Sequence, residues 1–266
     1  MQTINENFRG AAATIEQLDS VETPEKTKTW TPIAHTRIVD IAKNSIRDMH
    51  PDWNIRKETH KLSKNKQNVF SSYELDTPFS RPDNTLMFST RSSINKTYSV
   101  MGAAGIKVLV CSNGAYVMSN ATRLKRKHTG DVLEEDIYQK FCFVLESSAK
   151  TYKIINGDFD LMRSIEIDND AAYEMTGFLQ GHNVLNNKRR RVTLGDWFSP
   201  RHEEFEPRTM YSYYNCVTES LKSVPVGEEI KLHDALHTLV MDRYVNCYTL
   251  NVQEDINNID DIIAAN

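Results

Sequence analysis

Three short segments of the chain concentrate basic side chains, which suit the phosphate groups of a polyanion. The first runs from Arg123 to His128, the second from Lys188 to Arg191, and the third is a looser group of lysines. Each lies in or beside a predicted turn or loop, where charged heads reach a phosphate backbone without burial. Their basic residues are Arg123, Lys125, Arg126, Lys127, His128, Lys188, Arg189, Arg190, Arg191, Lys61, Lys64 and Lys66. The alternative for each segment is an ordinary solvated surface.

The charge of the chain is unevenly distributed along the sequence. The formal net charge is −4, and residues 251–266 alone contain four carboxylates and no lysine or arginine, so the preceding residues sum to zero. This acidic tail also contains Ile256, Ile259, Ile262 and Ile263. It resembles acidic tails with which single-strand DNA-binding proteins shield their groove or bind replication proteins of host or phage. The alternative is a short amphipathic helix that docks on the body through its isoleucines.

Aromatic residues near the basic segments are candidate platforms for unpaired bases. They are Tyr73, Tyr98 and Tyr116 in the strand region and Tyr211, Tyr213 and Tyr214 before a helical stripe. Aromatic residues in a sheet also commonly belong to the core.

Signals for catalysis are few. His233 and His237 have the i, i+4 spacing of zinc-binding helices, which leaves a metal-dependent hydrolase as a third class of function. The alternative is two histidines on a helix face. Glu166, Asp168 and Asp170 could hold a divalent metal, although such a run more often caps a helix. Ser112 ends a strand without a Gly-x-Ser-x-Gly motif around it. We therefore expect no catalytic residues, no bound metal and no cofactor.

The pattern of the chain predicts an α+β fold with a mainly antiparallel central sheet, at about residues 53–119, packed with C-terminal helices. A helix is expected from Thr31-Pro32 to His50-Pro51, and a long helix from Asp131. The predicted strands are 53–60, 68–75, 85–90, 96–101, 105–111 and 115–119, and the later helices are 171–179, 209–222 and 232–250.

We expect a flexible N-terminal arm at residues 1–30, a single α+β domain at residues 31–250, and the acidic tail at residues 251–266. The four cysteines are widely spaced, so free buried thiols are expected. No apolar run approaches the ~20 residues of a membrane span, and the N-terminus lacks the order of a signal peptide. These features predict a soluble protein of the cytoplasm.

Three segments together resemble a family of phage- and plasmid-borne proteins known as a domain of unknown function. They are residues 88–95, residues 106–114 with residues 127–130, and residues 213–222. Arg91 departs from the Asn that the family has in the first segment. The resemblance implies roles for Ser92, Cys111, Asn113, Lys127, His128, Asn215, Thr218 and Lys222. It also implies a place in the DNA metabolism of mobile elements, with a distant likeness to single-strand annealing proteins.

The leading hypothesis is a non-enzymatic phage protein that binds single-stranded DNA, or RNA, in the host cytoplasm. It would promote annealing as a homo-oligomer during phage DNA replication or recombination. The expected nucleic-acid-binding residues are Arg91, Arg123, Lys125, Arg126, Lys127, His128, Lys188, Arg189, Arg190, Arg191 and Lys222. The alternative is a protein that blocks or redirects a host factor by binding an acidic surface with the same residues.

Overall fold

The computed structural model describes residues 10–108, 114–115, 123–126, 134–222, 224 and 226–246. The described chain is α+β, as the sequence predicts. Several predictions concern residues outside this range, namely Cys111, Ser112, Asn113, Tyr116, Lys127, His128, Asp131, Cys247 and the acidic tail at 251–266.

The sheet is antiparallel, with strand order β1-β2-β3-β4-β5-β6 and with β7 also pairing with β5. Its strands are β1 (Ala11–Ala13), β2 (Asn54–Leu62), β3 (Asn68–Asp76), β4 (Asn84–Ser93), β5 (Val100–Val108), β6 (Gly114–Ala115) and β7 (Arg123–Arg126). Every described strand pair is antiparallel, and consecutive strands from β1 to β6 are neighbours. The predicted mainly antiparallel sheet is therefore confirmed.

The two strands predicted at 96–101 and 105–111 are one strand, and that prediction was wrong. β5 runs continuously through the glycines that suggested a break. A Cβ at Gly102 would lie 2.7 Å from Cδ1 of Phe141, so this glycine admits the Phe141 ring against the sheet. Glycine in a strand often marks such a close approach.

The helices are α1 (Ile15–Asp19), α2 (His35–Met49), α3 (Glu134–Ser164), α4 (Asn169–Gly181), α5 (Asn187–Phe198), α6 (Met210–Leu221) and α7 (Val226–Val240). A π-helical turn, Met241–Val245, follows α7. The sequence predicts α2, α3, α4, α6 and α7 with shifted ends, and it misses α1 and α5. Helix α5 has no clear apolar stripe, because Lys188 to Arg191 occupy its first turn.

The N-terminal arm contains regular structure from residue 11 onward, unlike the expected flexible segment. Thr14 caps α1 and forms a reciprocal capping box with Gln17. Leu18 is buried in a cluster with Val39, Leu62 and Val69. Ala13 and Val21 pack against the same cluster, and Trp30 is also buried, so apolar contacts anchor this mostly polar segment.

The chain divides into two compact units. Unit 1 comprises Met1–Ile154 with Val224–Ile230, and unit 2 comprises Ile155–Ser223 with Lys231–Asn266. Helix α3 contributes residues to both units. No helix among the described residues is long and apolar enough to cross a membrane.

Unit 1 is built on one face of the sheet, which we call the helix face. Phe88 of β4 and Phe141 of α3 meet edge to face there, with ring centroids 5.4 Å apart. Tyr73 and Ile106 lie on the same face and are fully buried. In unit 2, Trp197 and Tyr213 pack edge to face at 5.9 Å. Each unit therefore has its own aromatic core.

Candidate nucleic-acid interface

Strand register places three basic residues on one row across the sheet. Lys61 is opposite Phe70, Phe70 is opposite Arg91, Arg91 is opposite Met101, and Met101 is opposite Lys125. Residues directly opposite in antiparallel strands share a face. We call this row of five residues the basic row, and the sheet face that carries it the basic face. With strands about 4.8 Å apart, the row spans about 19 Å.

The neighbouring row of the basic face consists mostly of small side chains. Thr59, Ser72, Ser89, Ala103 and Arg123 occupy successive opposite positions. The hydroxyls of Thr59 and Ser72 are 2.9 Å apart and hydrogen-bonded. Ser89 and Ala103 in the middle of this row are fully buried. Arg123 occupies the end of the row on β7.

The segment 123–126 is a strand rather than the loop that the sequence suggested, and its alternation divides its charges. Arg123 and Lys125 occupy positions on the basic face. Leu124 is opposite Gly102 and Arg126 is opposite Val100, and these positions belong to the helix face. Because β7 pairs with β5 by register, only alternate residues can reach one face. The prediction that Arg126 joins Lys125 in one contact surface is therefore not supported by the strand register.

Arg91 and Tyr98 form a cation–π pair on the basic face. The guanidinium carbon of Arg91 is 4.4 Å from the centre of the Tyr98 ring. Tyr98 packs against the buried cluster of Phe70, Met87 and Met101 with Ala103. Both residues of the pair are half-buried. The sequence named each residue separately but gave no indication that they are in contact.

The turn after β4 holds Tyr98 in place. Ser93 Oγ donates to the carbonyl of Tyr98, and the Tyr98 amide donates to Ser93 Oγ, both at 2.9 Å. Asn95 Nδ2 donates to Gln67 Oε1 at 2.8 Å, which joins this turn to the turn between β2 and β3. The Tyr98 ring is thus positioned by two hydrogen-bonded turns at the same end of the sheet.

The looser lysine group lies at this end. Lys61 is exposed in the basic row, while Lys64 and Lys66 are exposed in the turn that follows β2. The Lys66 carbonyl is 3.0 Å from Nε2 of the buried His35. At the other end of the face, Lys107 pairs with Glu74 and is only 18% exposed. Lys61 is therefore an exposed cation of the basic face, whereas Lys107 is paired with a carboxylate.

The basic segment of unit 2 lies on a helix, not in the predicted loop. Asn186 caps α5 by accepting a hydrogen bond from the Arg189 amide at 2.9 Å. Lys188, Arg189, Arg190 and Arg191 then follow one another in the first turn. Successive helical residues are separated by about 100°, so four in a row encircle the helix. They cannot all face one ligand.

Lys222 is at the end of α6 and belongs to an ion-pair group. Its Nζ is 2.6 Å from Glu219 Oε2, and Arg201 is 3.2 Å from the other oxygen of the same carboxylate. This carboxylate compensates the charge of Lys222. Lys222 belongs to unit 2, whereas the basic row belongs to unit 1.

The other residues implied by the family resemblance are internal where they are described. Ser92, Asn215 and Thr218 are all buried. Asn215 Nδ2 donates to the Tyr211 carbonyl at 2.8 Å, and Thr218 Oγ1 donates to the Asn215 carbonyl at 2.9 Å. The side chains of Asn215 and Thr218 therefore hydrogen-bond to carbonyl groups of their own helix, α6.

Four of the predicted stacking tyrosines are core residues. Tyr73, Tyr211, Tyr213 and Tyr214 are each at most 6% exposed. Burial raises the pKa of Tyr213, whose hydroxyl is hydrogen-bonded to Thr176 at 2.8 Å. Buried rings cannot stack on a base. Among the described residues, Tyr98 is the predicted platform that is half-buried rather than buried.

The two histidines of α7 are structural within the described chain. His237 Nε2 is 2.9 Å from Asp158 Oδ2, and its ring contacts Phe159 and Tyr214. His233 is 1% exposed. Among the described residues, no group of three or more His, Cys, Asp or Glu side chains could hold a metal ion.

The acidic run before α4 caps that helix. Asp168 Oδ1 accepts a hydrogen bond from the Ala171 amide at 2.8 Å, and Asp170 lies in the first turn. The capping interpretation is confirmed for Asp168. Cys142 and Cys216 are free and buried, as expected. Burial raises the pKa of Cys216 to about 12, so its thiol is not a nucleophile at neutral pH.

One arrangement that the sequence did not suggest has the composition of a hydrolase triad. His60 Nδ1 is 2.8 Å from Ser71 Oγ, and its Nε2 is 2.9 Å from Glu58 Oε1. Register explains the contact, because His60 and Ser71 are directly opposite. Ser71 is 0% exposed, so no substrate reaches its hydroxyl. The His60–Ser71 hydrogen bond pairs two buried polar groups, whereas the approach of His60 Nε2 to Glu58 Oε1 lacks hydrogen-bond geometry.

Comparison with protein-family models, with curated protein sequences and with solved structures found no match to this chain. Any functional assignment therefore rests on its own residues.

Proposed function

We propose that this protein binds single-stranded nucleic acid across the basic row of its sheet. The observation that supports the proposal is the alignment of Lys61, Arg91 and Lys125 in one register row. These residues are distant in sequence, and strand pairing alone brings them into line.

The chemistry of the row suits an unpaired strand. Lysine and arginine heads neutralise phosphates, and an aromatic ring stacks on a base of any sequence. Tyr98 supplies that ring and already carries the Arg91 guanidinium on its face. Binding of this kind depends on charge and stacking, so little sequence preference is expected.

The test is fluorescence anisotropy with a labelled oligothymidylate, titrated at several salt concentrations. Binding should weaken steeply with salt, with a slope of about −0.7 for each phosphate contact. The double variant Lys61→Glu/Lys125→Glu should bind much more weakly and should show a shallower salt slope.

Arg126→Glu is the matched control. Arg126 follows Lys125 on β7, but its register position lies on the opposite face of the sheet. It should retain nearly the wild-type affinity. If Arg126→Glu and Lys125→Glu weaken binding equally, the basic face is not the contact surface. If the wild-type protein does not bind the oligonucleotide at low salt, the proposed function is wrong.

A further inference from the structure

A surface groove runs between α4 and α5 in unit 2. Its volume is about 500 Å³. Helix α4 contributes Tyr173, Gly177 and Gln180 to the lining, and α5 contributes Arg190, Arg191 and Leu194. The proposed binding across the basic row does not use this groove.

The two arginines give the groove a positive edge. Arg190 and Arg191 are exposed, and neither has a carboxylate partner among the described residues. Two guanidinium groups that line the same groove favour an anionic occupant.

The groove also has apolar character. Leu194 and Tyr173 line it, and Tyr173 is 52% exposed. The ring of Tyr173 also contacts Phe198, which lies outside the lining, with centroids 5.7 Å apart. A Cβ at Gly177 would meet no atom within 4 Å. The glycine therefore leaves room for the apolar side chains of an occupant.

The last described residues of the chain lie beside α4. The Tyr244 ring packs edge to face on Phe178 of α4, with centroids 5.7 Å apart. The last described residue is Asn246, two residues further along. Residues 247–266 follow it, and twenty residues span up to about 66 Å when extended. This length is ample to reach the groove from Asn246, because the preceding Tyr244 already packs on α4.

We propose that the acidic tail, residues 251–266, docks into the α4/α5 groove of its own chain. Its isoleucines at 256, 259, 262 and 263 have the spacing of one helix face. Its four carboxylates, at 254, 255, 260 and 261, complement Arg190 and Arg191. An amphipathic helix that lays its apolar face into a groove is a common recognition mode.

Covalent linkage lets a modest contact hold the tail in place. A short linker gives an effective concentration of about 1 mM, so an intrinsic dissociation constant of about 0.1 mM would keep the tail about 90% bound. This docking is independent of the proposed nucleic-acid binding, because it uses α4 and α5 of unit 2 and not the basic row.

Hydrogen–deuterium exchange of the full-length chain tests the proposal. Amides of residues 251–266 should exchange about tenfold more slowly than in a free peptide of the same sequence, as expected from 90% occupancy. Gly177→Leu fills the groove and should remove this protection. Gly195→Leu is the matched control, because Gly195 lies on α5, also faces open space and does not line the groove.

Charge and apolar variants provide independent readouts. Arg190→Glu/Arg191→Glu and Ile259→Ser/Ile262→Ser should each raise exchange of the tail to the free-peptide rate. Free-peptide exchange in the wild-type protein, or protection that survives Gly177→Leu, would overturn the proposal. Protection lost on dilution would assign the groove to the tail of a second copy. Protection lost in Lys61→Glu/Lys125→Glu would place the tail on the basic face instead.

Discussion

The guanidinium carbon of Arg91 lies 4.4 Å from the centre of the Tyr98 ring, on the sheet face that also carries Lys61. A cation and an aromatic ring are thereby held together at the half-buried middle of the basic row. The pair combines, at one point of the sheet, the two groups that recognise an unpaired nucleotide.

We predict that Tyr98→Ala weakens binding of oligothymidylate by about 1–3 kcal/mol, the usual loss for one stacked base. Tyr98→Phe should bind almost as well as wild type, since it keeps the ring. Phe143→Ala removes an aromatic ring that is 50% exposed on α3 and serves as the control. Anisotropy titrations measure the effect, and equal losses in Tyr98→Phe and Tyr98→Ala would argue against stacking.

We predict opposite stability effects for two glycine-to-alanine substitutions. Gly102→Ala should lower the free energy of unfolding by about 1–3 kcal/mol, because its Cβ would lie 2.7 Å from the Phe141 ring. Gly157→Ala, within α3, meets no neighbouring atom and should raise it by about 0.5–1 kcal/mol. Urea denaturation measures both. A neutral Gly102→Ala would mean that the Phe141 ring does not approach the sheet this closely.

We predict that the protein loses stability as the pH falls below about 6.5, the ordinary histidine pKa. Burial lowers the pKa of His35, and burial also lowers that of His60 against the opposing effect of Glu58. Between the lowered folded pKa and the ordinary unfolded pKa, the unfolded state binds more protons. Stability is therefore full above the unfolded pKa and declines as the pH falls toward the folded pKa, by up to about 1.4 kcal/mol per pH unit for each histidine.

The double variant His35→Gln/His60→Gln tests this pH dependence. Glutamine can still hydrogen-bond to the Lys66 carbonyl and to Ser71 but does not titrate. Urea midpoints measured from pH 7.5 to 5.5 should fall less steeply for the variant than for wild type. If the urea midpoints of the variant and of the wild type fall equally steeply with pH, groups other than these two histidines cause the loss of stability.

We predict that Asp168→Ala destabilises the protein by about 1 kcal/mol, because the Ala171 amide loses its capping partner. Asp170→Ala, two residues later, should cost less, since Asp170 contributes only a favourable charge in the first turn. Thermal unfolding of both variants with and without Mg²⁺ measures the difference. A large effect of Mg²⁺ that disappears in both variants would indicate a metal site instead of a cap.

The sequence by itself determined the elements whose signals are local. Short segments separated by turn residues marked β2, β3 and β4, and apolar stripes marked α2 and α3. Asp168 was recognisable as a helix cap because capping involves residues three positions apart. The sequence also determined where basic residues are concentrated, since charge runs are read directly from the chain.

Only the tertiary structure decided which of those basic residues share a surface. Strand register is a non-local property, and a shift of one residue reverses every side chain between faces. Register aligned Lys61, Arg91 and Lys125 and placed Arg126 on the other face. Packing likewise removed Tyr213 and Tyr214 from the candidate platforms, because the burial of an aromatic ring depends on elements far away in sequence.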